Sequence, residues 1–150
     1  MNTLEREHRD YFSVSFRIAG DDLDPSRVTE LLEMAPHLAH RKGDPNTGKA
    51  KSGKIIYFSP FRTGLWAIDS NLDRHCRLHE HFTNLLERLE PHKDKLAELR
   101  KDGFELDFFC GHFFADAHQP GYSLSYDILV RIGALGITLN ICLYPTGGEA

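Results

Sequence analysis

Cysteine is scarce in this 150-residue chain. Cys76, Cys110 and Cys142 are odd in number and far apart. They imply no disulfide framework, and a reducing cytoplasm fits them better than secretion. Long apolar runs are missing as well: no stretch approaches the roughly 20 residues that span a bilayer. The opening, Met1 to Asp10, is polar and has no apolar centre of the kind a signal peptide carries. Excess positive charge is also absent. A net charge of −4 argues against general affinity for nucleic acid or for acidic membranes. What is present is ordinary globular material, 41% hydrophobic and 27% charged, which sets disorder aside and suffices for a core.

A strand followed by a capped helix occurs twice. The first copy is Phe12-Ser13-Val14-Ser15-Phe16-Arg17-Ile18, then Leu23 to Ala35. The second is Phe104-Glu105-Leu106-Asp107-Phe108-Phe109-Cys110, then Leu124 to Gly136. The helices align without a gap, with Leu23, Val28, Leu31, Met34 and Ala35 falling on Leu124, Leu129, Ile132, Leu135 and Gly136. In the first copy Asp24 is placed to cap and Pro25 sits at the first helical position, where a missing N–H costs nothing. Pro36 is expected to end that helix.

Between the copies, residues 37–53 read as a long Gly/Lys-rich loop. Ile55–Phe58 and Leu65–Ile68 read as two short strands forming a hairpin with a long turn. From Leu78, the positions Phe82, Leu85, Leu86 and Leu89 keep the stripe of a core-facing helix. Pro91 either kinks it or begins a second helix carrying Leu96 and Leu99. Gly103 is expected as a left-handed cap behind Arg100 and Lys101. Ile137, Leu139, Ile141 and Leu143 alternate along a final strand. The order is therefore β-α-β-β-α-β-α-β. The division is a charged lead-in at 1–10, one α+β domain at 11–144 and a frayed tail at 145–150. Alternating strands imply a mixed or antiparallel sheet with helices on one face, either ferredoxin-like or a pseudo-duplicated β-α-β sandwich.

Chemistry-bearing residues are sparse. Gly43–Lys49 and Gly48–Lys54 both imitate G-x-x-x-x-G-K, but Ala50 and Ile55 stand where magnesium would need a hydroxyl, and a strand follows where a helix is required. The loop is nonetheless basic on an acidic protein, which points to an anion or an acidic surface as its partner. Its ligand-binding candidates are Arg41, Lys49 and Lys54, with Arg62 and Trp66 of the following segments. His75, Cys76, His79 and His81 form one histidine/cysteine set; Cys110, His112, Asp116 and His118 form another. Neither has a diagnostic metal spacing. A Cys110 nucleophile with His112 or His118 as base is the form an enzyme would take. Asp21, Asp22 and Asp24 lack the distal glutamate of a calcium loop, so Asp24 is read as a cap and its neighbours as solvated. No catalytic residue, metal ligand or cofactor is assigned.

The run Phe16 to Pro25, then Ala35-Pro36, Arg41-Lys42-Gly43-Asp44, Gly64-Leu65-Trp66, Phe109-Cys110-Gly111 and the ending Leu135-Gly136-Ile137 to Tyr144, resembles the bacterial domain-of-unknown-function family 4279. The leucine-rich middle helix resembles it too. The resemblance spans residues 11–144 and rests on caps, turns and core positions. It implies a small bacterial α+β domain and brings no site residue with it. The function expected is a non-catalytic binding or protein-interaction domain of accessory or immunity type. A sensor of a small anionic ligand and a Cys/His-dependent enzyme are the alternatives.

Overall fold

The computed structural model describes residues 10–114 and 121–146. In chain order the elements are β1 (Tyr11–Gly20), α1 (Pro25–Leu32), β2 (Leu38–His40), β3 (Asn46–Lys49), β4 (Ile55–Phe58), β5 (Gly64–Asp69), α2 (Leu78–Leu89), α3 (Lys93–Lys101), β6 (Glu105–Phe114), α4 (Tyr126–Ala134) and β7 (Thr138–Pro145). A 3-10 turn, Glu90–His92, joins α2 to α3, so Pro91 acts as a kink between two helical segments. The fold is α+β with a mixed sheet. Five strands lie in the order β2-β5-β1-β6-β7, and β3-β4 form a separate two-stranded ribbon. Only β6 and β7 run parallel.

The period-two pattern decides the layers. Val14, Phe16 and Ile18 of β1, Trp66 and Ile68 of β5, and Leu106, Phe108 and Cys110 of β6 point to one face and are buried. The helices cover that face, supplying Val28, Leu32, Phe82, Leu85, Leu86, Leu89, Leu96, Leu99, Ile128 and Ile132 to one core. Burying each such large apolar side chain contributes about 1.5–3 kcal/mol. α1 packs over β5 and α4 over β7, while α2 lies across β1 and against α4. The duplicated strands β1 and β6 are the central antiparallel pair. The two copies are connected differently: β2 is separated from β1 by β5, whereas β7 lies directly beside β6. No helix among the described residues is long and apolar enough to cross a membrane.

The caps follow the sequence closely. Asp24 Oδ1 accepts from the Ser26 N–H at 3.1 Å, with Pro25 at the first position. Gly103 has φ +96° and closes α3. α1 stops at Leu32, earlier than Pro36 requires, because Glu33 takes the left-handed conformation at φ 53°.

Two expectations are corrected. Ile55–Phe58 does not pair with the strand holding Leu65–Ile68. β4 pairs with β3, and β5 pairs with β1 and β2. The segment read as a 37–53 loop supplies the missing partners. β2 lies opposite β5, Gly43 and Asp44 exchange backbone bonds with Phe61 at 2.7 and 3.1 Å, and β3 continues opposite β4. One long hairpin results, its base inside the sheet and its outer half a free arm turning at Ala50–Gly53. The alternation of the last strand holds, but its burial fades. Ile141 and Leu143 are 42% and 57% exposed where helical cover ends.

Candidate functional site

The five residues singled out from the sequence are not gathered in one place. The Arg41 guanidinium bonds Asp24 Oδ1 at 2.7 Å, and Asp44 Oδ2 accepts the Arg41 backbone N–H at 2.8 Å. Lys42 pairs with Asp21 at 3.0 Å. That bond, with one from Thr63, holds the Asp21 carboxyl below its usual range. The basic loop and the acidic turn therefore neutralise each other. Lys49 and Lys54 lie out on the β3-β4 arm and make no ion pair among the described residues. Trp66 is fully buried on the helix-covered face, where its Nε1–H donates to Thr29 Oγ1 at 3.0 Å. Arg62 alone of the five lines a cleft.

That cleft, about 360 Å³, opens on the other face of the sheet, which no helix covers among the described residues. Its wall holds Arg17, Arg62, Glu105 and Asp107, with His40 stacked on Phe61 at 3.5 Å. Two guanidiniums and two carboxylates balance, so the cleft is not an anion trap. Arg17 forms a forked pair with Asp107 at 2.8 and 2.5 Å, and Asn140 donates to the same carboxylate at 2.6 Å. The bond to Asp107 raises the Arg17 pKa despite partial burial. The Arg17 guanidinium also lies 4.6 Å from the Phe109 ring centre. Beyond it, strand register places Tyr11, Phe113 and Tyr144 side by side on β1, β6 and β7. Their rings stack at 4.6 and 4.7 Å, and Arg74 covers the outer face of Tyr11 at 4.4 Å. The bare face thus carries arginines and aromatics in fixed positions, the residue types that dominate binding energy at protein interfaces.

Of the two histidine/cysteine sets, His112 of one approaches His75, Cys76 and His79 of the other through Asp10. His112 is fully buried; its Nε2 lies 2.7 Å from Asp10 Oδ2, with Phe12 stacked on the ring at 4.7 Å. Asp10 and Tyr122 then line a cleft of about 310 Å³ with His75, Cys76 and His79. His81 points elsewhere: it is buried with Nδ1 2.6 Å from Ser70 Oγ, and burial pushes its pKa down. Cys110 is buried in the core, and desolvation pushes its thiol up to about 11, the reverse of nucleophile activation. Asp116 and His118 lie outside the described residues. Among the described residues no three His, Cys, Asp or Glu side chains are placed to hold a metal ion.

Apart from Arg62, the bare-face residues were not singled out in the sequence. The available signal is that Tyr11, Phe109, Phe113 and Tyr144 occupy positions that strand alternation assigns to the uncovered side. A family model described as a domain of unknown function, DUF4279, matches residues 9–146, and the chain belongs to that family. No curated protein and no solved structure matches the chain.

Proposed function

We propose that this DUF4279-family chain is a non-catalytic protein-interaction domain that docks its partner on the bare face of the five-stranded sheet. The single observation behind this reading is the aromatic and arginine-bearing face itself. Tyr11, Phe113 and Tyr144 form a stacked row bounded by Arg74 and His75 at its Tyr11 end, Arg17 is held by Asp107 beside Phe109, and no helix among the described residues covers them. Pre-ordered side chains of this kind lose little conformational entropy on binding, which favours a rigid docking surface over a flexible one. The buried Cys110 thiol, pushed up rather than activated, weighs against the Cys/His-dependent enzyme alternative. The accessory or immunity-type role in a bacterial cytoplasm belongs to the same reading.

Affinity capture from the native host tests it. The wild-type chain is expected to retain a discrete partner. Leu38→Glu, on the same face and 47% exposed, should release that partner without altering the circular dichroism spectrum. Recovery of nothing above background, or a partner indifferent to Leu38→Glu and to Tyr144→Ser, would sink the reading. The anionic-ligand alternative draws on Arg62 alone, beside Glu105 and Asp107, and has less behind it.

A further inference from the structure

The arm is the least protected apolar surface of the molecule. Ile55, Ile56, Tyr57 and Phe58 are consecutive and 55, 41, 78 and 56% exposed. Among the described residues they form a sheet edge with no partner, and the strand holds no charge and no proline. Two-stranded ribbons are marginal alone, and edges of this composition associate unless blunted. The other edge of the same arm, Asn46-Thr47-Gly48-Lys49, is polar and blunted. The asymmetry marks β4 as the docking edge.

We infer that β4 pairs antiparallel with β4 of a second copy of this chain, on a twofold axis passing through Ile56. Backbone geometry sets this register. The Ala50 N–H donates to Lys54 C=O at 2.8 Å, and the Gly48↔Ile56 and Asn46↔Phe58 pairs continue that alternation. Ile56 and Phe58 therefore spend their backbone groups on β3, whereas Ile55 and Tyr57 turn theirs to the free edge. Two such edges satisfy each other when Ile55 of one copy faces Tyr57 of the other and Ile56 faces its own equivalent. Four backbone hydrogen bonds form in that register. A one-residue slip would oppose groups already used within the arm.

The side chains agree with this register. One face brings Ile55 against Tyr57 twice, an aliphatic–aromatic cross-strand pair. The other face brings Ile56 against Ile56 and the Lys54 stem against Phe58, and no like charges oppose each other. Charge favours the same arrangement at longer range. Residues 45–60 carry Lys49, Lys51 and Lys54 with no acid, so a whole-chain charge of −4 leaves seven net negative charges on the body. Antiparallel pairing draws the basic tip of each arm toward the acidic body of the other copy. The exposed fractions of four large side chains offer on the order of 500 Å² per copy. Edge pairing covers only part of that area, so a twofold pair stays at or below the lower limit of a specific interface, which means a reversible, concentration-dependent dimer.

Sedimentation equilibrium on the full chain tests this. The mass should rise from 17.1 kDa toward twice that value as concentration increases. Ile56→Lys, which sets two ammonium groups against each other on the axis, should hold the chain monomeric with an unchanged circular dichroism spectrum. Thr47→Lys, on the blunted strand, should leave the dimer intact. The register is read by oxidation in a Cys76→Ser, Cys142→Ser background, where Ile56→Cys should cross-link two chains faster than Ile55→Cys or Tyr57→Cys. A chain monomeric at every concentration overturns the inference. So does a dimer indifferent to Ile56→Lys, or one that cross-links best through position 55 or 57.

Discussion

Phe16 and Phe108 are equivalent residues of the internal repeat, and they stand directly opposite each other on the two central strands. Their ring centroids are 5.8 Å apart with planes at 63°, an edge-to-face contact at the middle of the core. Phe82 of α2 closes on Phe108 at 5.4 Å, and Trp66 on Phe16 at 6.5 Å, so one aromatic cluster ties both copies to the central helix.

Phe16→Ala and Phe108→Ala should each destabilise the domain by about 3–5 kcal/mol, since both rings are fully buried. The double variant should cost less than the two singles together, because both lose the same contact. Urea denaturation of the four proteins measures this, and strict additivity would show that the rings do not act as a pair.

Gly136 ends α4 with φ +67°, and the Arg100 guanidinium, which donates to the Leu135 carbonyl, occupies the space a Cβ would need. Gly103 has a similar φ but open space around it. Gly103→Ala should therefore cost roughly 1–2 kcal/mol from backbone strain alone. Gly136→Ala should cost more, because Arg100 must also leave its carbonyl. Thermal unfolding of the two variants ranks them, and equal losses would contradict the account.

Burial pushes the His81 pKa below the ordinary 6.5, against the opposing pull of the Cys76 backbone and of Glu80. Below about pH 6.5 the unfolded chain takes up a proton that the folded chain refuses. Stability is thus fully present above that pH and falls as pH drops toward the folded value. The carboxylates with lowered pKa, Glu90 beside Arg131, Asp21 beside Lys42 and Asp127 beside Ser125, lose their contribution only at more acid pH, below about 4.5. Denaturation midpoints between pH 7.5 and 5.5 should decline, and His81→Gln should flatten that decline.

Cys110 should resist alkylation at neutral pH, with its thiol buried and pushed up to about 11. Cys76 and Cys142 are only half-buried and should react first. Mass spectrometry after iodoacetamide treatment should find Cys110 modified only on unfolding. Rapid labelling of Cys110 in the native protein would reopen the thiol-enzyme alternative.

Much of the core was legible in the sequence, because strand alternation and helix stripes report burial residue by residue. The caps were legible too, since Asp24, Pro25 and Gly103 act through local backbone geometry that neighbours along the chain suffice to define. The arm was not. Asn46-Thr47-Gly48-Lys49 has no apolar pattern and becomes a strand only because Ile55–Phe58 lies opposite it. The candidate site was hidden for a related reason. Arg41 and Lys42 look like an anion site until the fold brings Asp24 and Asp21 against them. Tyr11, Phe113 and Tyr144, far apart in the chain, become a row only when strand register aligns them. Sequence by itself determined the buried face of the central strands and where α1 and α2 begin, because those are short-range consequences of side-chain chemistry. Tertiary structure alone decided which charges cancel, which face stays bare and which edge is left unpaired, because each depends on contacts between segments whose spacing in the chain carries no record of them.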